Sequence, residues 1–228
     1  MEIETTKPTT LIESTYTKIK QDIIENYLLP GTKIIVRELS ERYSVSETPI
    51  KQALNRLVTE GLVESTPRKG MRVKMVSWSE IDDVMELRLM FDLYFVDEVI
   101  KALKDNTELK QQFEENLNEH LKFAQTYTNF AEYQNVYKLD RGFHELYLAC
   151  TGNRKAVEVY QRLNSHLYSN YLYERQPRSK VIAGATEHRE TFEALCQGDS
   201  EKVKENLVIH SKNAKDIIYK TLKESNLI

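Results

Sequence analysis

The sequence is poor in the residues that interrupt regular structure and in the residue that cross-links it. Among 228 residues there are 7 glycines, 5 prolines and 2 cysteines. So few glycines and prolines disfavour a sheet-rich fold with many tight turns and suit a mainly helical one. Cys150 and Cys196 lie far apart without a C-x-x-C spacing. They predict two reduced thiols in a cytoplasmic protein rather than a disulfide.

Long apolar runs and a strong excess of one charge are missing as well. No apolar run approaches the 18 residues that would indicate a membrane span, and the first residues, MEIETTKPTT, lack the basic and apolar parts of a secretory signal. The net charge of −3 excludes a surface that is basic throughout. Residues 1–75 nevertheless carry 12 basic against 10 acidic side chains, and the remainder 20 against 25. This asymmetry is compatible with nucleic-acid contact by the amino-terminal part but does not establish it.

Three helix patterns fill most of residues 11–61. Apolar residues recur at helical spacing from residue 11 to 26, and a Pro-Gly dipeptide follows shortly after. The stretch VRELSERY predicts a short second helix. The third helix begins at Ser46, a good N-cap, carries Pro49 in its first turn and ends at Gly61.

A β-hairpin pattern follows the third helix. Residues 62–65 and 71–75 are two short alternating segments, and the loop between them, TPRKG, places Arg68, Lys69 and Gly70 at the tip. Helices, a tight turn, a further helix and a basic hairpin make a winged helix-turn-helix, whose third helix would enter a major groove of DNA. A winged helix that contacts only proteins is the alternative reading.

The stretch PGTKIIVRELSERYSVSETPIKQALNRLVTEGLVESTPRKGMRV closely resembles the DNA-binding domain of GntR-family bacterial transcription regulators. The resemblance covers some 45 consecutive positions, and it implies that a homodimer reads a palindromic operator. It also implies DNA contacts from six residues, to which Arg68 at the hairpin tip and Glu47 at the helix start are added by position. The six are Arg37, Ser46, Thr48, Lys51, Lys69 and Gly70.

Two positions depart from the family pattern. Glu47 stands where the family usually has a base-reading arginine, and Lys51 replaces a second arginine. A carboxylate repels phosphate and can only accept a hydrogen bond, for example from cytosine N4, while lysine lacks the bidentate fork of arginine. We therefore expect an operator unlike the family's common one. Alternatively, Glu47 only stabilises the amino terminus of its helix.

The remainder of the chain, residues 79–224, contains consecutive helix patterns and no strand pattern. The first helix is predicted to begin at Ser79 and to run to residue 103, the fourth to span residues 155–174 and the fifth to begin at residue 186. About six helices would form an antiparallel bundle. The predicted organisation is a disordered tail over residues 1–10, the winged helix-turn-helix over residues 11–76, and the helical domain. The fold class is mainly α.

Histidines in the helical domain suggest a metal site. Asp140 and His144 share one helical face, and His188 and His210 lie roughly ten residues on either side of a predicted hairpin turn. At a rise of about 1.5 Å per residue the latter two would be level in the bundle. Three imidazoles and a carboxylate make a site for Zn, Ni, Fe or Mn, with Zn and Ni favoured. Taken singly, each histidine is more often a surface or core residue.

The pattern D-x-x-x-H, E-H and H, with GD between the last two histidines, resembles the metal-binding version of the FCD ligand-sensing domain in the FadR-like branch of GntR regulators. This resemblance covers residues 79–223 in helix count and order. It implies that Asp140, His144, His188 and His210 are the metal ligands. His120 and His166 match no motif position and are interpreted as bystanders.

The same resemblance singles out residues that would bind an effector. Arg88 would hold a small carboxylate between its guanidinium and the metal; the alternative is an ion pair with Asp92 one turn away. The stretch HLYSNYLYERQPRSK would bring Tyr171 and Arg175 to the pocket or to a lid, although tyrosines at helical spacing are more often core.

Three functions remain to be weighed. The first is a ligand-responsive regulator, repressor or activator, in which metal and a small organic acid control DNA affinity. The second is a metal-dependent hydrolase or oxygenase, which the sequence disfavours because it has no H-E-x-x-H motif and no clear general base. The third is a helical interaction module. We favour the regulator and predict no enzymatic activity, because the recognition helix and the basic hairpin have no role in an enzyme.

Overall fold

The computed structural model describes residues 10–25, 27–75, 77–163 and 167–225. It consists of two compact units that divide between residues 76 and 77. The mainly helical fold class is confirmed. The predicted disordered tail over residues 1–10 lies outside the described residues except for Thr10, whose hydroxyl accepts a hydrogen bond from the backbone of Glu13 and caps the first helix.

The first unit combines three helices with a small sheet. In chain order its elements are α1 (Leu11–Ile24), β1 (Lys33–Ile34), α2 (Val36–Tyr43), α3 (Glu47–Thr59), β2 (Val63–Thr66) and β3 (Gly70–Val73). The core lies between α1 and α3, where Ile19, Ile23, Ile50, Leu54 and Leu57 are fully buried. Burial of such an apolar stripe is what holds short helices together in water.

The predicted hairpin is confirmed, with one strand that the sequence did not indicate. Strands β2 and β3 pair in antiparallel register, and β1 pairs antiparallel with the other edge of β3, giving the order β1-β3-β2. Two residues are too few to show an alternating pattern, so β1 could not be predicted. Ser46 occupies the N-cap position of α3 as predicted, although its side chain makes no capping hydrogen bond, and Gly61 has the positive φ of a residue just past a helix end.

The second unit is a bundle of α-helices. Its elements are α4 (Trp78–Tyr94), α5 (Val96–Leu103), α6 (Thr107–Thr126), α7 (Phe130–Ala149), α8 (Arg154–Arg162), a 3-10 helix (Leu167–Leu172), α9 (Arg178–Gln197) and α10 (Ser200–Glu224). The core runs between α5, α6, α7 and α9, and Phe113, Phe143 and Phe192 lie at its centre.

Some predicted helix limits are wrong. The helix expected to run from Ser79 to residue 103 begins after Ser77 and is divided at Phe95, whose φ of −99° and ψ of 9° fall outside the helical region. The described part of the segment after α8 is a 3-10 helix rather than an α-helix, and α9 begins eight residues earlier than the sequence indicated. Amphipathic periodicity does not reveal a one-residue interruption, because the apolar stripe continues across it.

The described residues include no helix with the length and apolarity needed to span a membrane. Both cysteines are free thiols; Cys150 is half-buried and Cys196 is exposed.

Candidate functional site

The first unit presents an exposed polar surface at the start of α3 and at the hairpin tip. Every residue that the sequence analysis assigned to DNA is exposed: Arg37, Ser46, Glu47, Thr48, Lys51, Arg68, Lys69 and Gly70. The opposite face of α3 is buried in the core of the unit, so only this face is available to enter a groove.

The two departures from the family pattern contact each other. Lys51 Nζ donates a hydrogen bond to Glu47 Oε2 at 2.6 Å, one turn apart on the exposed face of α3. The hydrogen bond and the charge of Lys51 lower the pKa of the Glu47 carboxyl. The free protein therefore presents a neutralised pair here in place of two cationic side chains.

The hairpin tip is a tight turn that projects two basic side chains. Lys69 donates its backbone N–H to the carbonyl of Thr66 at 3.0 Å, which closes the turn. Arg68 has a φ of 65° and Gly70 a φ of 88°. Left-handed backbone is the conformation that glycine adopts without cost, and it accounts for Gly70 at this position.

In the second unit, four side chains from three helices converge. Asp140 and His144 extend from α7, His188 from α9 and His210 from α10, and one potential ligand atom of each lies within 4.8 Å of all the others. The Nε2 atoms of His144 and His188 are 3.1 Å apart, as are those of His188 and His210. His188 and His210 therefore lie level with each other across the α9–α10 hairpin, as expected.

A buried carboxylate, Asp92, and a partly buried one, Glu187, orient two of the imidazoles. His144 Nδ1 lies 3.2 Å from Asp92 on α4, and His210 Nδ1 lies 2.8 Å from Glu187 on α9. A carboxylate can only accept, so each Nδ1 carries the proton and each Nε2 directs a lone pair toward the centre of the cluster. Burial alone would raise the pKa of Glu187, but hydrogen bonds from His210 and Asn213 lower it overall. Glu187 is therefore a carboxylate at neutral pH.

The donor set suits a divalent cation. Burial lowers the pKa values of His144 and His188, which keeps both imidazoles neutral and ready to bind a metal. The Nε2 lone pairs of His144 and His210 repel each other unless a positive charge lies between them. Arg88 supplies such a charge in the structure: its Nη2 lies 2.5 Å from His144 Nε2, 3.3 Å from His210 Nε2 and 3.4 Å from Asp140 Oδ1. The guanidinium thus contacts three of the four potential ligands.

Arg88 is placed where the sequence analysis expected it, inside the bundle. Its side chain is 5% exposed, and its Nε lies 4.0 Å from Asp92, so the alternative ion pair with Asp92 is present but long. Asp92 makes its shorter contact with His144. Arg88 is therefore part of the same cluster as the histidines.

A cavity of about 400 Å³ opens from the cluster. Arg88, His120, Asp140, Glu187 and His210 line its polar end, and small or apolar residues of α9 and α10 line much of the rest. The volume is large enough for an organic acid of several carbons together with water.

The residues predicted to bind an effector from the segment after α8 do not reach this cavity. Its wall is formed by their chain neighbours Leu172 and Gln176 rather than by Tyr171 and Arg175. Tyr171 is buried in the core of the unit, and Arg175 donates to the backbone carbonyl of Tyr171 at 3.1 Å. Neither residue lines this cavity, and their expected effector role stays a prediction.

His120, which was interpreted as a bystander, lies beside the cluster. It is 2% exposed, its ring centroid is 5.4 Å from that of His188, and its Nδ1 has no hydrogen-bond partner among the described residues. Sequence spacing gave no signal for it, because α6 approaches the site only through tertiary packing. His166 lies outside the described residues.

Comparison with known proteins decides the family. The model for bacterial regulatory proteins of the gntR family matches residues 11–73, and the FCD domain model matches residues 83–213, more than half of the chain. The chain belongs to the GntR family and carries an FCD domain. This GntR-family protein is thus a transcription regulator, as predicted.

Individual relatives of the regulator agree with this family. The uncharacterized HTH-type transcriptional regulator YdhC of Bacillus subtilis (strain 168) is 25% identical over 208 residues, which cover 90% of this chain and 89% of YdhC. The HTH-type transcriptional repressor RspR of Escherichia coli (strain K12) is 20% identical over 215 residues, covering 92% and 90% of the two chains. The solved structure of E. coli McbR/YncC shares the fold, with a TM-score of 0.65, 20% identity and coverage of 92% of this chain and 98% of that one.

These families and relatives are transcription regulators and not enzymes. The alternative of a metal-dependent hydrolase or oxygenase therefore has no support in this GntR-family regulator.

Proposed function

We propose that this regulator binds a palindromic DNA operator as a homodimer and that a divalent metal and a small carboxylate effector in its FCD domain control its affinity for that operator. The observation that carries the proposal is the meeting of three histidine Nε2 atoms and the Asp140 carboxylate beside a cavity of about 400 Å³. A regulator that only read DNA would have no need of that cluster.

In the proposed site Asp140, His144, His188 and His210 hold the metal. Zn or Ni fits an N3O set best, and Fe or Mn is compatible. A bound metal would act as a fixed positive charge toward an anionic ligand. Asp92 and Glu187 hold the rings of His144 and His210 in place, and Arg88, once its nitrogen no longer contacts the histidines, is available to pair with the carboxylate of the effector.

The first unit supports the DNA part of the proposal. Its exposed residues at the start of α3 and at the hairpin tip would contact bases and phosphates, with Glu47 and Lys51 setting a base preference of their own. The HTH name of its relatives agrees with this role, and the name of RspR suggests repression as the direction of control. A cytoplasmic location follows from the same proposal.

Exposed apolar side chains support a homodimer. Leu87, Met90 and Tyr94 follow one another at helical spacing along α4 and are 42%, 54% and 74% exposed. A stripe of this kind on a helix otherwise packed in a bundle suits an isologous contact with a second copy. Met90→Glu should convert the dimer to a monomer in analytical ultracentrifugation, whereas the same change at the exposed polar position Lys101 should not.

The proposal is tested by one set of measurements on the purified full chain. Native mass spectrometry with elemental analysis reports bound metal and subunit number. Selection from a randomised duplex library supplies a bound sequence, and fluorescence anisotropy then compares its affinity for the metal-free and the zinc-loaded protein, with and without small carboxylic acids. The proposal predicts stoichiometric metal and an acid-dependent change in DNA affinity that disappears with EDTA. Absence of metal binding, or the same DNA affinity under all conditions, would contradict it.

A further inference from the structure

A hydrogen-bonded group of three side chains lies in the wall of the cavity, apart from the histidine cluster. Gln176 Nε2 donates to the hydroxyl oxygens of Tyr133 and Tyr137, at 2.9 and 2.7 Å, and the Tyr133 hydroxyl donates to that of Tyr137 at 3.0 Å. Tyr137 and Gln176 line the cavity, whereas Tyr133 is buried behind them. The function proposed above uses none of these residues.

This arrangement determines what the group presents to the cavity. The Tyr137 oxygen accepts two hydrogen bonds, and its own proton has no acceptor among the described residues. Both Gln176 N–H bonds are used, and no described donor reaches its carbonyl oxygen Oε1. One donor and one acceptor, which belong to side chains in direct contact, are therefore free for a ligand.

The aromatic residues around Tyr133 hold this pair in place. The Tyr133 ring packs against those of Tyr127, Tyr137 and Tyr173, at centroid distances of 5.3, 4.9 and 5.1 Å. A donor and an acceptor fixed in this way discriminate between ligand groups, because a group that does not match them leaves a polar atom unpaired after desolvation.

The pair also lies within reach of the proposed metal site. Tyr137 precedes Asp140 by three residues on α7, which corresponds to about 4.5 Å along the helix axis, and both line the same cavity. Val136, Leu172, Pro177 and Val181 supply apolar parts of the cavity wall, and Lys180 lines it as well. A molecule of about four carbons could contact both ends.

We propose that Tyr137 and Gln176 determine effector specificity by recognising an uncharged group that both accepts and donates a hydrogen bond, a hydroxyl or a carboxamide. The inference rests on the proposed function, since the carboxylate of the same molecule would lie at the metal. A hydroxyl would accept from Tyr137 and donate to Gln176 Oε1. A second carboxylate could accept from Tyr137 but would be repelled by Gln176 Oε1, because neither group carries a proton. A ketone could accept from Tyr137 but would leave Gln176 Oε1 without a donor.

Isothermal titration calorimetry on the zinc-loaded full chain tests this assignment. The probes are butyrate, 3-hydroxybutyrate, 4-hydroxybutyrate, succinamate and succinate. We expect a hydroxybutyrate or succinamate to bind about tenfold more tightly than butyrate, the effect of one or two net hydrogen bonds. Succinate should bind more weakly than the best probe. Which of the hydroxy acids or succinamate binds best distinguishes a hydroxyl from a carboxamide.

Two variants and one matched control complete the test. Tyr137→Phe and Gln176→Leu should each reduce the preference for the best probe over butyrate to less than about threefold. Tyr127→Phe removes a hydroxyl from the same aromatic group without touching the cavity wall, and it should leave the preference unchanged.

The outcomes separate this inference from the proposed function. Zinc-dependent binding of butyrate with no preference for any probe, or a preference that persists in both variants, would overturn the role of Tyr137 and Gln176 and leave the proposed function standing. Failure of every acid to bind the zinc-loaded protein would overturn both.

Discussion

Glu187 lies 2.8 Å from Nδ1 of His210, although the two residues belong to different helices. The contact fixes the imidazole ring so that Nε2 points to His188 and Arg88. Asp92 does the same for His144 from α4. The cluster is thus built from four potential ligands and from two carboxylates whose main contribution is to orient them. Several consequences of this arrangement are measurable.

Asp140→Ala should abolish metal binding and the response to acids while leaving DNA affinity in the absence of effector largely intact. Asp140 contributes the carboxylate of the proposed set, and its loss should weaken zinc binding by more than about 100-fold, the upper range for changes outside the ligand shell. Competition with a chromophoric chelator measures this. Asp105→Ala, at an exposed position between α5 and α6, is the matched control. Stoichiometric, tight zinc in Asp140→Ala would exclude the assignment.

The orienting carboxylates should contribute less to zinc affinity than the ligands do, but more than other acidic side chains. Asp92→Asn and Glu187→Gln keep the shape of the side chain and remove its charge, so we expect zinc affinity to fall about 10- to 100-fold in each. The same chelator competition applies. Glu190→Gln changes an exposed acid of α9 and should have no effect; equal affinities in all three variants would show that the two carboxylates do not support the metal.

Removal of the metal should destabilise the protein. A ligand that binds only the folded state, and is present at a free concentration of 1,000 times its Kd, adds about 4 kcal/mol to the free energy of unfolding. Differential scanning calorimetry of wild-type protein with zinc and with EDTA should therefore show two melting temperatures for the FCD domain. Asp140→Ala should melt at one temperature under both conditions. A wild-type Tm that is insensitive to EDTA would contradict a metal bound in the folded state.

The metal-free protein should lose stability as the pH decreases from about 6.5 to about 4. Burial lowers the pKa of His120 to about 4 and also lowers those of His144 and His188, whereas an unfolded histidine titrates near 6.5. In this window the unfolded state binds more protons than the folded state, so the free energy of unfolding decreases as the pH decreases. Urea unfolding in EDTA at several pH values measures the effect. His120→Gln should reduce the slope; an unchanged slope would show that His120 does not contribute.

The Glu47–Lys51 pair should limit general affinity for DNA. Glu47→Ala removes a carboxylate near the phosphates and releases Lys51, so affinity for random duplex should rise, and the slope of log Kobs against log salt should become steeper by about 0.9 if Lys51 gains one phosphate. Discrimination at one base pair of a selected operator should fall by about 1–3 kcal/mol. Anisotropy titrations over a salt series measure both. Glu25→Ala, at the C-cap of α1, is the control and should change neither quantity. A Glu47→Ala protein with the wild-type salt slope and specificity would show that Glu47 only stabilises its helix.

Much of the fold could be predicted because its signals are local. The N-cap at Ser46, the turn at Gly61 and the alternation on either side of the TPRKG tip all depend on neighbouring residues, and the structure confirms them. The break at Phe95 could not be predicted, since apolar residues recur at helical spacing on both sides of it. The strand β1 could not be predicted because its two residues are too few to show an alternating pattern.

The same distinction between local signals and tertiary packing applies to the residues of the site. Asp140 and His144 are one turn apart, and His188 and His210 are level across one hairpin, so spacing alone brought these pairs together. His120 reaches the cluster through the packing of α6, which no sequence interval encodes. Glu187 is adjacent to His188 and Asp92 lies one turn from Arg88, but their contacts with His210 and His144 depend on how the helices pack. The 3-10 geometry of Leu167–Leu172 could not be predicted either, because its three residues per turn differ from the 3.6 of the α-helix expected there.

Helix α10 connects several of these features within one continuous rod. Near its middle it carries His210, and beyond that it forms one side of the cavity as far as Lys220. On another face, Lys215 and Tyr219 contact Asp82, and the Tyr219 ring packs edge-on against Trp78 at 4.4 Å. Trp78 opens α4, immediately after the boundary with the first unit in sequence. A shift of α10 would therefore alter the contacts that hold the first turn of α4 as well as the position of His210.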